Sequence, residues 1–190
     1  MITTIISNNC MGGVICSRNH MQFKSPTVAL QILPEEYLKF CVNLKHYMEC
    51  DVEEYTDISD EHKEYLEKMY GFIPTNFPYG IVDDIMICFQ HYQTFEQARD
   101  KWNIRKKRIE WDNIAYLFHA KSIKYIREVD KFLTFAPPNS IALTEGFEIG
   151  RSYRFDVPDV PGIDAFGWWN GKYVIEYGDY NEAAFLGGKI

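Results

Sequence analysis

Short apolar runs alternate with amphipathic stretches from the amino terminus to about residue 147, and this alternation limits the available folds most strongly. Strands repeat every two residues and helices about every 3.6, so a switch between the two periods indicates strands separated by helices. Parallel neighbours need crossover connections, which are usually helices. The pattern predicts a three-layer α/β/α sandwich with a mostly parallel central sheet. The expected strands are residues 2–6, 27–33, 79–92, 114–118 and 139–143.

Helix boundaries are predicted from capping residues. Ser59 stands where a helix should begin, and Gly71 occupies the position usual for a C-terminal cap. Thr94 and Gln97 have the spacing of a capping box at the start of another helix. Apolar residues at helical spacing predict two further helices, over residues 37–48 and 122–133.

The length of 190 residues and a hydrophobic content of 46% indicate a single α/β domain that folds without disulfides. The core of this domain is expected over residues 1–147. From residue 148 to 190 the chain is rich in aromatic residues, Gly and Pro. We expect this extension to be irregular, with short strands, and to pack on the core.

The net charge of -7 argues against a nucleic-acid binder, which normally carries a basic excess. No apolar stretch reaches the length of a membrane span and no secretion signal is evident, so a cytoplasmic protein is expected. The oligomeric state is left open. The cysteines lack the close-set pairs of zinc sites and are expected to be reduced thiols; they are Cys10, Cys16, Cys41, Cys50 and Cys88.

A polar, glycine-bearing loop follows the first predicted strand, where open α/β sheets bind ligands. Its backbone amides are candidates for holding a phosphate or carboxylate. A tight turn stabilised by Asn side chains explains the same residues. Cys10 would be a nucleophile if a histidine lay beside it, and is otherwise a buried structural thiol. The candidate ligand-binding residues of this loop are Ser7, Asn8, Asn9, Gly12 and Gly13.

Asp83 and Asp84 interrupt an apolar run, and buried carboxylates must be hydrogen-bonded, paired with a cation or exposed. They are candidates for a catalytic base or a ligand of a divalent metal, the one cofactor that the sequence leaves open. The alternative is that one caps a loop and the other pairs with Lys or Arg. His91 is a further catalytic candidate, but it is expected at the opposite end of the same strand.

A basic stretch at 105–108 precedes Asp112 and Asn113. Most of its charges are expected on a solvated helix end, and one or two are candidates for gripping a phosphate or an acidic sugar. Asp112 and Asn113 are added to the ligand-binding candidates, although at the amino end of a strand they would be structural.

These motifs occur together in an order that resembles a bacterial family catalogued as domain of unknown function number 1919. The resemblance covers about residues 2–145, although family members commonly carry Trp where this chain has Met11. It implies a three-layer α/β sandwich and a label of exopolysaccharide or capsule biosynthesis. The resemblance is carried by segments 5–13, 37–44, 79–85, 91–92, 98–102 and 108–113. The site residues that it favours are Ser7, Asn8, Asn9, Cys10, Asp83, Asp84, His91, Asp112 and Asn113.

Three functions follow as hypotheses. The first is a transferase that acts on a sugar nucleotide or a glycan intermediate, with the first loop holding phosphate and Asp83 or Asp84 as base or metal ligand. The second is a hydrolase or acyl transferase that uses Cys10. The third is a non-catalytic partner in a polysaccharide assembly complex that binds through the aromatic tail.

Overall fold

The computed structural model describes residues 1–156, 168–169, 172–173 and 180–189. Its strands are β1 (Thr4–Ser7), β2 (Gln31–Ile32), β3 (Glu53–Glu54), β4 (Tyr79–Val82), β5 (Ile85–Cys88), β6 (Ile114–Ala120), β7 (Ser140–Glu145), β8 (Tyr153–Phe155), β9 (Trp168–Trp169) and β10 (Lys172–Tyr173). Its α-helices are α1 (Met11–Arg18), α2 (Pro34–Val42), α3 (Leu44–Glu49), α4 (Asp60–Tyr70), α5 (Phe95–Lys106), α6 (Ile126–Phe135) and α7 (Glu182–Leu186). Two 3-10 turns, Trp111–Asn113 and Ile123–Tyr125, precede β6 and α6.

A parallel sheet with the strand order β1-β6-β7-β8 forms the centre of the fold. Successive side chains point to opposite faces, so Ile5 packs with Met11 of α1 on one side. Ile6 packs with Val129 of α6 on the other side. Helices therefore cover both faces of this sheet, and the predicted α/β class is confirmed.

The central sheet is parallel, as predicted, and a second, antiparallel sheet with the order β2-β5-β4-β3 accompanies it. The segment predicted as one central strand over 79–92 is a hairpin of β4 and β5. The chain reverses at Asp83, whose φ of 56° lies in the left-handed region that Asp tolerates better than most residues. The uninterrupted apolar character of the flanks concealed this two-residue turn.

Helix α2 joins the two sheets. The buried Tyr37 hydroxyl donates a hydrogen bond to the Ile6 carbonyl of β1 at 2.7 Å, and its ring stacks on Phe132 of α6. The amide of Ile32 in β2 donates to the carbonyl of Asn8 at 2.8 Å. The end of β1 is thus tied directly to the antiparallel sheet.

The capping predictions are confirmed. The Ser59 side chain accepts from the amide of His62, and Gly71 closes α4 with a φ of 78°. The Thr94 side chain accepts from the amide of Gln97 at the start of α5. These signals were readable because each cap involves residues within a few positions of one another.

Helix α7 packs against the amino-terminal strand. The amide of Ile2 donates to the Leu186 carbonyl at 2.7 Å, and Phe185 is buried with Ile5 and Met11. The expectation of an irregular segment from residue 148 falls partly on residues 157–167, 170–171 and 174–179, which lie outside the described residues. Among the described residues, no helix has the length and apolar character needed to cross a bilayer.

A buried ion pair fixes α4 on α2. His62 Nε2 lies 2.8 Å from Glu36 Oε1, and the other Glu36 oxygen accepts from the Met86 amide of β5 at 3.0 Å. The Tyr55 hydroxyl lies 3.0 Å from His62 Nδ1. The hydrogen bond with Glu36 is the main cause that raises the pKa of His62, from 6.5 to about 9.

We expect this pair to make the free energy of unfolding depend on pH. Because the folded pKa is raised, the stabilisation is complete below the unfolded value of 6.5 and is lost as the pH rises through about 9. The loss should be on the order of 2 kcal/mol for one paired histidine. Urea denaturation of the native protein and His62→Gln between pH 6 and 10 measures it. An equal slope in both proteins would contradict the assignment.

Candidate functional site

A polar cleft of about 290 Å³ lies at the carboxyl edge of the parallel sheet. Open α/β sheets usually bind their ligands at this edge. One wall comes from the ends of β1 and β6 and from the start of the helix after β6. The opposite wall comes from β2, the end of α4 and the segment after β5. The lining residues are Asn8, Asn9, Gln31, Pro34, Met69, Tyr70, Gln90, His119, Lys121, Ser122, Lys124 and Tyr125.

The Asn8 side chain joins the ends of β1 and β6. Its Oδ1 accepts from the amide of His119 at 2.8 Å, and its Nδ2 donates to the carbonyl of the same residue at 3.1 Å. One side-chain amide thereby satisfies both backbone groups of a residue in the neighbouring strand, as another strand would. Both residues are buried, so leaving these backbone groups unpaired would be costly.

The Asn9 side chain orients the His119 ring. Asn9 Oδ1 accepts from the Met11 amide at 3.1 Å, which turns its Nδ2 toward His119 Nδ1, 3.1 Å away. An amide nitrogen can only donate, so Nδ1 accepts and the ring hydrogen is on Nε2. His119 Nε2 lies 2.9 Å from Glu145 Oε1 at the end of β7. Three neighbouring strands therefore contribute to one buried Asn9, His119 and Glu145 cluster.

His119 is neutral in this cluster. Its side chain is fully buried, and burial is the main cause that lowers its pKa below 6.5. Glu145 opposes this shift, whereas the nearby positive charge of Lys121 adds to it. With both ring nitrogens engaged, His119 positions the cleft wall and does not present a nitrogen to a ligand.

Three side chains from the second sheet and α4 form a hydrogen-bonded network on the opposite wall. The Tyr70 hydroxyl donates to Gln31 Oε1 at 3.1 Å. Gln90 Nε2 donates to the same Gln31 oxygen at 2.9 Å and lies 2.5 Å from the Tyr70 hydroxyl. Elements far apart in the sequence are held together here by polar contacts, which suits a wall that contacts a polar ligand.

The cleft is cationic although the chain is acidic. Lys121 and Lys124 line it, and its described lining includes no Asp or Glu. Lys124 donates to the Lys68 carbonyl at 2.7 Å, which uses one of three N–H groups. An anionic ligand would be favoured here over a cationic one.

The first loop folds differently from the predicted phosphate cradle. Gly12 and Gly13 belong to α1, which begins at Met11. The Gly12 amide donates to Ser7 Oγ at 3.1 Å, and the Met11 amide to Asn9 Oδ1, so both amides are already used. A Cβ on Gly12 would lie 2.9 Å from the Ser7 Cβ, and one on Gly13 would lie 3.0 Å from a Val28 methyl group. These glycines allow close packing of α1.

Cys10 is buried directly before α1, and its thiol lies 3.7 Å from the Leu30 carbonyl. Burial is the main cause that raises its pKa to about 11, despite the opposing charge of Lys121. The thiol is therefore protonated at neutral pH, whereas a catalytic cysteine needs a lowered pKa.

Asp83 and Asp84 lie in the β4–β5 turn, away from the first loop. Asp84 forms an ion pair with Lys39 and accepts from the Tyr47 hydroxyl at 3.0 Å. Asp83 Oδ2 lies 2.7 Å from His46 Nε2. The turn borders a separate acidic cavity, lined by Glu35, Glu36, Lys39, Glu61, His62, Tyr65, Ile81, Asp83 and Asp84. The expectation that these aspartates and the asparagine loop share one rim is therefore wrong.

The remaining candidates also lie elsewhere. His91 is exposed in the turn after β5 and is not among the residues that line the cleft. Asp112 and Asn113 belong to the 3-10 turn before β6, at the amino edge of the sheet. The Asn113 carbonyl accepts from the Thr3 amide at 3.1 Å, which is a structural contact.

Sequence reasoning missed His119, Glu145 and Lys121. The sequence contained one usable signal: His119 and Lys121 directly follow the apolar run of 114–118, at a carboxyl strand end. Glu145 follows the run of the next strand in the same way. Asn9 and His119 are 110 residues apart in the sequence, so no local spacing revealed the cluster.

We expect His119 to stay neutral, with hydrogen on Nε2, from pH 8 down to below 6.5, because burial lowers its pKa. Ring ¹⁵N chemical shifts of the native protein measure both features. A depressed folded pKa means that stability is lost as the pH falls below 6.5, where the unfolded state takes up a proton first. Asn9→Ala should lower the free energy of unfolding by about 1–3 kcal/mol, because it removes the hydrogen bonds of the Asn9 side chain to Met11 and His119, while Glu145 still holds the ring hydrogen on Nε2. A native ring that is protonated at pH 7 or carries its hydrogen on Nδ1, or an unchanged free energy of unfolding in Asn9→Ala, would refute the arrangement.

Comparison with known proteins agrees with the resemblance noted in the sequence. The family described as a domain of unknown function (DUF1919) matches residues 2–146. A protein described as uncharacterized, from Haemophilus influenzae, is 26% identical over 185 residues, covering 93% of this chain and 81% of the relative. The family match includes every strand and helix that forms the cleft. The chain therefore belongs to the DUF1919 family.

Proposed function

We propose that the chain is a transferase that acts on a sugar nucleotide or a related phosphorylated glycan intermediate in bacterial exopolysaccharide or capsule biosynthesis. The observation that carries the proposal is a polar, cationic cleft at the carboxyl edge of the sheet, in a chain whose net charge is -7. An acidic chain has no general attraction for anions, so two lysines that line the same cleft favour an anionic ligand there.

The cleft offers groups for both parts of such a ligand. Lys121 and Lys124 are suited to the phosphates, beside Ser122, whose hydroxyl accepts from the Lys124 amide at the start of the 3-10 turn. Gln31, Gln90 and Tyr70 are donors and acceptors of the kind that sugar hydroxyls require. The buried Tyr125 hydroxyl has no partner among the described residues, and a ligand that reached it would satisfy that group.

Transfer from a sugar nucleotide requires stabilisation of the departing diphosphate. Positive charges held in place at the leaving group supply that stabilisation in the transition state. Lys121 and Lys124 would have this role. Asn8, Asn9 and His119 would hold the wall on which Lys121 stands. Asp83 and Asp84, which the sequence suggested as base or metal ligand, lie outside this cleft and have no part in the step.

Isothermal titration calorimetry with uridine and guanosine diphosphate sugars tests the proposal. Lys121→Gln and Lys124→Gln should each weaken binding about 10-fold, because a charged hydrogen bond to phosphate contributes roughly 1.5 kcal/mol. Lys131→Gln, which removes an exposed lysine farther along α6, is the matched control and should bind as the native protein does. Transfer of the sugar to the hydroxyl of an added glycan acceptor, or to water, releases the nucleoside diphosphate, and this release should require the same two lysines. The proposal fails if no sugar nucleotide binds, or if all three variants bind equally.

The alternative, a hydrolase or acyl transferase that uses Cys10, would require a reactive thiolate at this position. Because burial raises the pKa of Cys10 to about 11, alkylation by iodoacetamide at this position should be slow at pH 7.5 and should accelerate only in strong base. Peptide mass spectrometry after timed alkylation measures the rate, with the partly exposed Cys50 as internal comparison. Fast modification of Cys10 with an apparent pKa below about 8.5 would instead favour a cysteine-dependent hydrolase or acyl transferase.

A further inference from the structure

Three metal-ligating side chains of different types meet where α3 ends against the β4–β5 turn. His46 Nε2 lies 2.7 Å from Asp83 Oδ2 and 3.8 Å from Cys50 Sγ. The three ligand atoms all lie within 4.8 Å of one another. This cluster is separate from the cleft at the carboxyl edge of the parallel sheet, since none of the three residues lines that cleft.

The backbone brings the three side chains together. His46 and Cys50 are one helical turn apart, and the Cys50 amide donates to the His46 carbonyl at 3.2 Å, which places both side chains on one face. Asp83 enters from the hairpin turn, where its φ of 56° reverses the chain. The side chains of His46 and Asp83 remain 56% and 52% exposed, so packing of the core does not require them.

The geometry fits a small tetrahedral ion. Zn²⁺ binds histidine nitrogen, cysteine sulfur and carboxylate oxygen at about 2.0–2.3 Å, so its ligand atoms lie roughly 3.3–3.7 Å apart. The measured separation of 3.8 Å between nitrogen and sulfur is already close to that range. The nitrogen and oxygen, at 2.7 Å, need only a small side-chain rotation to separate. We propose that His46, Cys50 and Asp83 bind one Zn²⁺ ion and leave its fourth position open to water.

The surroundings favour a soft divalent cation over a hard one. Mg²⁺ and Ca²⁺ prefer oxygen ligands, whereas a thiol and an imidazole select zinc-like metals. The neighbouring Asp84 is not available as a fourth ligand, because Lys39 and Tyr47 already bind it. Metal binding would release the thiol proton to solvent and leave a thiolate, a neutral imidazole and a carboxylate around the ion.

Cobalt(II) is a suitable probe because a thiolate ligand produces a charge-transfer absorption in the near ultraviolet, and tetrahedral cobalt produces strong visible bands. Titration of the purified full chain with CoCl₂ should saturate at one ion per chain, and ZnCl₂ should displace the cobalt. Cys50→Ser should abolish the charge-transfer band. His46→Gln and Asp83→Asn should each weaken cobalt binding by about 10-fold or more, as removal of a ligand does.

Asp51→Asn is the matched control. It removes an exposed carboxylate adjacent to Cys50 without removing a proposed ligand, and should give the native spectrum and affinity. Circular dichroism of each variant without metal should match the native protein, since the substituted side chains are at least partly exposed. Absence of the charge-transfer band in the native protein would overturn the proposal. So would a band that persists in Cys50→Ser, or equal losses in Asp51→Asn and Asp83→Asn.

Discussion

The paired hydrogen bonds between the Asn8 side chain and the backbone of His119 hold together the carboxyl edge of the parallel sheet. Parallel strands diverge where their ladder ends, and β1 ends at Ser7, one residue before this pair. Asn8 continues the pairing with its side chain while its own carbonyl accepts from Ile32 of the second sheet. A single residue thus connects the end of β1, the end of β6 and the antiparallel sheet. The cleft lies against this junction.

The orientation of the buried histidine depends on the same junction. Asn9 accepts from the first turn of α1 and donates to His119 Nδ1, and the Glu145 carboxylate lies at Nε2, so both contacts place the ring hydrogen on Nε2. Burial keeps the ring uncharged, and the nearby lysine charge supports that state. The positive charge of the cleft is therefore carried by its rim, at Lys121 and Lys124, and not by its buried wall.

Features encoded by neighbouring residues were predictable, and features encoded by distant ones were not. The caps at Ser59, Gly71 and Thr94 act over a few positions, and the structure reproduces them. The hairpin turn at Asp83 and Asp84 was misread as part of a strand, because two residues are enough to reverse the chain and the flanking apolar residues hide the break. The cationic cleft could not be predicted, because the overall composition of an acidic chain does not indicate which charges the fold brings together. Asn8 and Asn9 were chosen as candidates because they follow the first strand, and both line the cleft, but their histidine partner lies 110 or more residues away.

The chemistry of the Asn8 pair restricts how homologous sequences can diverge at this position. Aspartate has the right size, but its ionised form accepts only and would face the His119 carbonyl with a second acceptor. Leucine matches the shape but would leave the buried His119 amide without its acceptor. Glutamine retains the donor and acceptor but is one methylene longer, which the close packing at this strand end resists. Of these four residues only asparagine supplies a donor, an acceptor and the right size. A substitution at this position would therefore require a compensating change in β6.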